Sequence, residues 1–270
     1  MNRIELVVQG HRGSRGHYPE NSVIACKHAL DLGVDALEID VVVSSDGELI
    51  VSHEPYMDHT LCLKPDDSAI GEAEVSNLNL FTMKATEIQK YSFGTLPYDK
   101  FPNQKKVKCH KLTLVEFVNE LHKEIGDAFP TLTIEIKSTP NGDKIFHPEP
   151  KKYADIIVKT IDRLDEQWPV IIQSFDLRIL KELDKKNVEF PLVVLNDNKE
   201  MDIDAICEFL DFIPEGYSPH FEMIDETIVN DCAELGIMLS TWTVNEKSEA
   251  ERLFGLGVRN FISDYPEIFD

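Results

Sequence analysis

Short apolar runs alternate with segments of helical periodicity along almost the whole chain. The apolar runs predict strands at residues 4–9, 36–43, 49–53, 132–137, 170–175, 190–195, 212–213, 237–243 and 261–263. Helical spacing of apolar positions, i to i+3 or i+4, predicts helices near 22–32, 113–125, 153–165, 177–186, 203–209, 224–235 and 246–256. This alternation is typical of βαβ units and a parallel sheet. Roughly eight repeats favour an α/β fold of the (β/α)8 TIM-barrel type, with an open doubly wound sheet as the alternative.

One segment interrupts this rhythm. Residues 54–111 contain turn signals such as Lys64-Pro65-Asp66-Asp67 but no clear strand, and the segment is too long for an ordinary loop. We therefore predict an inserted subdomain at 54–111 within one barrel domain that spans 1–270.

The charge of the chain makes nucleic acids and anionic membranes poor candidates for partners. The 270 residues include 49 acidic and 27 basic ones, a formal net charge of −22, which repels nucleic acids and anionic lipid surfaces. We expect no nucleic-acid partner and no stable membrane association. The sequence shows neither a signal peptide nor an apolar run of about 20 residues, so we expect a cytoplasmic protein, with a trimmed signal as the alternative.

Three acidic residues on two predicted strands are candidate metal ligands. Side chains alternate along a strand, so Glu38 and Asp40 share one face, and Glu135 shares a face with Lys137 on a later strand. Unpaired carboxylates in a buried strand are costly, and a cation removes that cost. Each pair alone could equally be a structural ion pair. Carboxylate oxygens without cysteine favour Mg²⁺ or Ca²⁺ over zinc.

Four further residues lie where predicted strands end. His11 and His53 each follow a strand and are candidates for a general acid and base. Arg12 suits a phosphate, and its structural alternative is a partner for Glu20 or for the metal-site carboxylates. Trp242 is either core or the apolar wall of a substrate pocket.

The ordered set of motifs resembles the glycerophosphodiester phosphodiesterase family. The matching pieces run from residue 10 to residue 266 and cover nearly the whole chain. They are Gly10-His11-Arg12-Gly13, Tyr18-Pro19-Glu20-Asn21-Ser22, Leu37-Glu38-Ile39-Asp40-Val41, Ser45-Asp46-Gly47, Val51-Ser52-His53, Ile134-Glu135-Ile136-Lys137, Ile172-Gln173-Ser174-Phe175-Asp176, Thr241-Trp242-Thr243-Val244-Asn245, Gly257-Val258 and Ser263-Asp264-Tyr265-Pro266.

The resemblance implies a TIM-type barrel that hydrolyses glycerophosphodiesters to sn-glycerol 3-phosphate and an alcohol with one divalent cation, Mg²⁺ or Ca²⁺. It implies metal ligands at Glu38, Asp40 and Glu135, an acid and a base at His11 and His53, and phosphate contacts at Arg12 and Lys137. Lysophospholipase D or phospholipase C-like activity on membrane lipids is one alternative. A catalytically silent barrel that binds a metal and an anion is another.

The sequence departs from the family pattern in two places. Glu54 follows His53 where the family commonly has Asp, which could change the orientation of the His53 ring. The segment 138–150, which contains Phe146 and His147, is longer than the reaction requires. We interpret it as a surface loop, with a lid that selects the head group as the alternative.

Overall fold

Eight parallel strands close into a barrel in the computed structural model, which describes residues 3–270, with the side chain of Ile4 left out. The barrel strands are β1 (Val7–Gly10), β2 (Ala36–Val43), β7 (Thr131–Ile136), β8 (Val170–Ser174), β9 (Leu192–Asn196), β10 (Gly216–Pro219), β11 (Met238–Thr241) and β12 (Asn260–Ser263). Closure is direct, because β1 pairs in parallel with both β2 and β12. The predicted (β/α)8 barrel is confirmed, and the open sheet is excluded.

Helices connect successive barrel strands on the outside. They are α1 (Val23–Asp31), α3 (Leu114–Ile125), α4 (Pro150–Ile161), α5 (Leu177–Asp184), α6 (Ile203–Leu210), α7 (Glu226–Leu235) and α8 (Lys247–Leu256). Beyond β12 the chain ends in a short 3-10 helix, Pro266–Phe269. Apolar faces of the helices pack against outward-facing strand residues such as Leu37, Ile39 and Val41 in one continuous core. The alternate β2 residues, Glu38 and Asp40, therefore face the barrel interior.

Two predicted strands are misplaced. The first strand begins at Val7 rather than residue 4, because Arg3–Glu5 forms a 3-10 helix. The strand predicted at 212–213 is wrong: Ile213 is exposed, and the barrel strand is the more polar Gly216–Pro219. Residue 216 lies close to β9, where an added Cβ would meet a methyl carbon of Val193 at 2.7 Å. Glycine is needed there, and no apolar pattern marks it.

The run at 49–53 forms a strand of a different kind. β3 (Leu49–Val51) pairs antiparallel with the end of β2, so it lies at the edge of the sheet and not in the barrel wall. The chain thus folds back along β2, and Ser52 N donates a hydrogen bond to Asp40 O at 3.0 Å. This return brings the residues after β3 to the level of the acidic pair on β2.

Residues 54–111 have a sheet and a core of their own. The sheet contains three two-residue strands, β4 (Cys62–Leu63), β5 (Ser92–Phe93) and β6 (Cys109–His110), and a short helix, α2 (Ala85–Ile88), precedes β5. A second apolar cluster packs these elements against the hairpin of β2 and β3. Strands this short leave no recognisable run in the sequence. That this segment is an inserted subdomain stays a prediction.

In the part of the chain that the structure describes, no helix combines the length and the apolar character needed to span a membrane.

Candidate active site

The strand register brings three carboxylates together inside the barrel. Alternation along β2 places Glu38 and Asp40 on one face, and β7 pairs with β2 so that Glu135 lies opposite Asp40. One carboxylate oxygen from each residue lies within 4.8 Å of the others. All three residues are buried.

Two cations and an amide hold the carboxylates in place. Arg12 Nε lies 3.1 Å from Asp40 Oδ2, and the Arg12 backbone N–H donates to Glu38 Oε2 at 2.9 Å. Asn21 Nδ2 donates to Asp40 Oδ2 at 2.8 Å. Lys137 Nζ lies 2.6 Å from Glu135 Oε1 and 3.6 Å from Asp40 Oδ1. The carboxylates are therefore pre-positioned by the chain itself.

Arg12 also pairs with an acid outside the triad, since its Nη1 lies 3.0 Å from Glu20 Oε1. Arg12 therefore makes the ion pairs with Glu20 and with a carboxylate of the triad that the structural interpretation predicted. Arg12 nevertheless lines the central cavity, and its predicted contact with a phosphate stays a prediction.

The three carboxyl groups differ in their electrostatics. Burial and the neighbouring acids raise the pKa of Glu38 well above its usual value, and burial raises that of Glu135 although Lys137 opposes it. Burial acts in the same direction on Asp40, but Arg12 and Lys137 outweigh it and hold its pKa well below the usual range. Asp40 Oδ1 is buried without a hydrogen-bond donor. An acceptor without a donor among crowded acids fits a hard divalent cation.

His11 and His53 reach the same cavity from different sides. His11 follows β1, and its Nδ1 lies 2.7 Å from Asp264 Oδ1. His53 follows β3, and its Nδ1 lies 2.6 Å from Glu54 Oε1. Burial lowers the pKa of His11 to about 4, against the raising effect of Asp264. Both rings therefore have one nitrogen oriented by a carboxylate, which leaves Nε2 of each for chemistry.

The cavity has a volume of about 310 Å³ and is lined by seven of the eight predicted site residues. Asp40, the eighth, lies behind Arg12 and Lys137. Trp242 forms part of the wall, its Nε1 donates to Ser218 O at 2.9 Å, and its ring packs edge-on against Phe175 at 5.3 Å between centroids. Of the two interpretations of Trp242, the structure favours the pocket wall.

Several residues at the site carried no predicted role. Asp264 orients His11, Arg15 binds Asp264 through Nε at 2.8 Å, and Gln173 Nε2 donates to Glu38 Oε1 at 3.2 Å. Asp264 and Gln173 lie at or just beyond the carboxyl ends of β12 and β8, a position that marks active sites in barrels. That positional signal was available in the sequence for both residues.

Comparison with known proteins gives a consistent result. The sequence model of the Glycerophosphoryl diester phosphodiesterase family matches residues 11–268. A glycerophosphodiester phosphodiesterase of Caldanaerobacter subterraneus is 29% identical over 98% of this chain and 96% of its own length. A solved structure from Silicibacter pomeroyi superimposes with a TM-score of 0.84 at 26% identity, covering 98% of this chain and 91% of its own. A phosphodiesterase of Oleispira antarctica, solved with the product sn-glycerol-3-phosphate, gives a TM-score of 0.76 at 22% identity, covering 97% and 94%.

Proposed function

The chain belongs to the glycerophosphoryl diester phosphodiesterase family, and we propose that it hydrolyses glycerophosphodiesters to sn-glycerol 3-phosphate and an alcohol. The observation that carries this proposal is one cavity lined by His11, His53 and two buried carboxylates, Glu38 and Glu135, with Asp40 beside them. Two oriented imidazoles suit proton transfer to and from the oxygens of a phosphodiester. The family membership supplies the reaction class.

Glu38, Asp40 and Glu135 would hold one divalent cation, Mg²⁺ or Ca²⁺, since their oxygens converge and Asp40 Oδ1 has no donor. When bound, such a cation supplies positive charge next to the phosphate oxygens. Lys137 and Arg12 line the same cavity and add fixed charge from the chain itself. Together they lower the cost of the negative charge that builds up in the transition state.

The two histidines divide the proton transfers. His11 is neutral near pH 7, because burial lowers its pKa to about 4, and it serves as the base that takes the proton of the nucleophile. His53 serves as the acid that protonates the oxygen of the departing alcohol. Glu54 reaches His53 Nδ1 at 2.6 Å, so the change from Asp to Glu preserves a carboxylate that orients the ring.

The test is release of glycerol 3-phosphate from glycerophosphocholine, glycerophosphoethanolamine and bis(glycero)phosphate, first with EDTA and then with Mg²⁺ or Ca²⁺ restored. We expect turnover that stops on chelation and returns with one of the ions. Micellar lysolipid is the parallel substrate, and faster turnover of lysolipid would assign the lipid activity instead. Failure of every substrate with every ion would identify a silent binding barrel.

A further inference from the structure

A second cavity adjoins the first on the side of His53. It has a volume of about 380 Å³ and shares His53, Glu135, Lys137 and Phe175 with the central cavity. The two cavities are therefore continuous, and the second opens from the ring that we assign as the acid. In the proposed reaction His53 protonates the leaving oxygen, so the departing alcohol would lie on this side.

The two cavities differ in charge. The central cavity contains the cations Arg12, Arg15 and Lys137, which suit a phosphate. Beyond the shared Glu135 and Lys137, the second cavity adds Asp197 and Glu54, which is bonded to His53, and no additional lysine or arginine. Hydrogen bonds from His53 and Tyr56 lower the pKa of Glu54 to about 2, so it is ionised at neutral pH. A ligand with a negative phosphate and a positive alcohol group matches this separation of charge.

Asp197 has no partner of its own. Among residues 3–270, none lies within hydrogen-bonding or ion-pairing distance of its carboxylate. It follows β9 directly, at the carboxyl end where the barrel binds ligands. Its charge is thus available to a molecule that occupies the second cavity.

Two aromatic rings, Phe146 and Phe175, complete the wall of this cavity. Phe146 belongs to the segment 138–150, and hydrogen bonds anchor this segment both before and after Phe146 in the sequence. Arg178 binds Asp143 with two hydrogen bonds at 2.8 and 3.1 Å. The buried His147 accepts from Thr139 N at 3.0 Å through Nε2, while its Nδ1 bonds Pro148 O at 2.9 Å. The backbone on either side of Phe146 is consequently fixed by contacts within the chain.

We propose that the second cavity binds the alcohol group of the substrate and selects a cationic one, of the trimethylammonium or primary ammonium class, an inference that rests on the proposed function. The aromatic rings of Phe146 and Phe175 line this cavity, and such rings can bind a quaternary or primary ammonium. The exposed Asp197 adds a carboxylate that no residue among 3–270 neutralises. Segment 138–150 is then a specificity element rather than a surface loop.

The sharpest test compares glycerophosphocholine with its carbon isostere, in which carbon replaces the ammonium nitrogen. The two substrates have the same shape and the same phosphate and differ only in the charge of the alcohol. We expect kcat/KM of the metal-loaded enzyme to be at least about fivefold higher for the cation, in the range of a partly exposed cation–π contact. The preference shrinks as ionic strength rises. Equal values for the two substrates overturn the inference and leave the proposed function intact, whereas no turnover of any glycerophosphodiester overturns the function itself.

Two variants locate the selectivity. Asp197→Asn and Phe146→Leu should each reduce the ratio of kcat/KM for cation over isostere by about threefold, because one removes the charge and the other the π face. The matched control is Asp204→Asn, which removes an exposed carboxylate of α6 that lines neither cavity. An unchanged ratio in both test variants, with the wild-type preference present, would place the selectivity elsewhere.

Discussion

His11 and His53 differ in how deeply each ring is enclosed. His11 is buried and its pKa is lowered to about 4 by that burial, whereas the side chain of His53 is 27% exposed. A ring that is neutral at pH 7 can accept a proton, and the assignment of His11 as the base rests on this property. The assignment of base and acid therefore follows the burial of the two rings.

Replacing either ring should reduce turnover strongly. We expect His11→Ala and His53→Ala to lower kcat for glycerophosphocholine by about 10² to 10⁴-fold, the usual contribution of general acid–base catalysis. His59→Ala is the control, because this histidine lies in the insertion and lines neither cavity. A histidine variant with wild-type kcat would lose its catalytic assignment.

A substrate with a good leaving group distinguishes the acid, His53, from the base, His11. A nitrophenyl ester of glycerol phosphate releases a nitrophenolate that needs no proton, so the acid becomes dispensable while the base does not. We expect His53→Ala to recover most of its activity on this substrate and His11→Ala to recover none. Recovery by His11→Ala instead would reverse the assignment.

We expect Asp264 to act on the proposed reaction through His11. Its Oδ1 lies 2.7 Å from His11 Nδ1, and Arg15 and Asn245 hold the carboxylate at 2.8 Å each. Asp264→Asn keeps the shape but loses the acceptor that sets the orientation and the tautomer of the ring. We expect kcat to fall about 10 to 100-fold with little change in KM, as for other partners that orient an active-site ligand. A rise in KM alone would indicate a role in binding.

Helix α3 shows how a local sequence signal sets a boundary. Thr113 is its N-cap and Glu116 completes a capping box, with Glu116 N donating to Thr113 Oγ1 at 3.3 Å and Thr113 N donating to Glu116 Oε2 at 3.1 Å. The helix buries Phe117 and Leu121 against the barrel. Thr113→Ala should lower the free energy of unfolding by about 1 kcal/mol.

Chemical denaturation measures this effect of the cap. Thr227→Ala, an exposed threonine within α7, is the matched control and should change the free energy of unfolding by less than about 0.5 kcal/mol. Catalysis should be unaffected in both, because Thr113 and Thr227 line neither cavity. Equal stability losses in the two variants would show that the cap contributes nothing specific.

Elements with a clear hydrophobic period can be predicted from the sequence, whereas elements whose position depends on contacts between strands cannot. The alternation along β2 and β7 was enough to place Glu38, Asp40 and Glu135 on inward faces, because a strand has a period of two residues. It was not enough for β10, whose Gly216 is required by the approach of β9. Nor could alternation show that β3 runs antiparallel to β2.

The partner of His11 depends on barrel closure. Asp264 is 253 residues away in sequence and meets His11 only because β1 pairs with β12, with Gly10 opposite Ser263. Periodicity is a local property and carries no information on closure. The family motifs contained Ser263-Asp264 in the correct order, but its role follows from the three-dimensional pairing alone.

Two carboxyl groups near the barrel mouth, Asp176 and Asp264, should contribute stability to the whole molecule that is lost in acid. Burial would raise the pKa of Asp176, but hydrogen bonds from Arg178 and Ser138 hold it below its usual value. Burial acts in the same way on Asp264, and His11 and then Arg15 outweigh it, so the pKa of Asp264 is also lowered. A folded-state pKa below the unfolded one gives stability that is full above the unfolded pKa of about 4 and is lost as the pH falls further.

We therefore expect the stability advantage of the wild type over Asp176→Asn to shrink as the pH falls from 5 to 3. The slope contributed by one group is at most about 1.4 kcal/mol per pH unit. Urea denaturation across this range measures it, with Asp204→Asn as the exposed control. An unchanged slope in Asp176→Asn would show that this group does not contribute to the acid sensitivity.

The three carboxylates, Glu38, Asp40 and Glu135, come from β2 and β7, two neighbouring strands of the barrel wall. A cation bound between them should therefore also stabilise the barrel. A cation that binds only the folded chain stabilises it by about 2.7 kcal/mol at 100 times its Kd. Mg²⁺ or Ca²⁺ should thus raise the Tm by several degrees, and EDTA should reverse the shift.

Glu135→Gln and Asp40→Asn should abolish this metal-induced shift in Tm, each measured against its own metal-free Tm. Asp197→Asn should keep it, since that carboxylate lies outside the triad. An equal shift in all three variants would mean that the ion binds elsewhere, even if activity requires it.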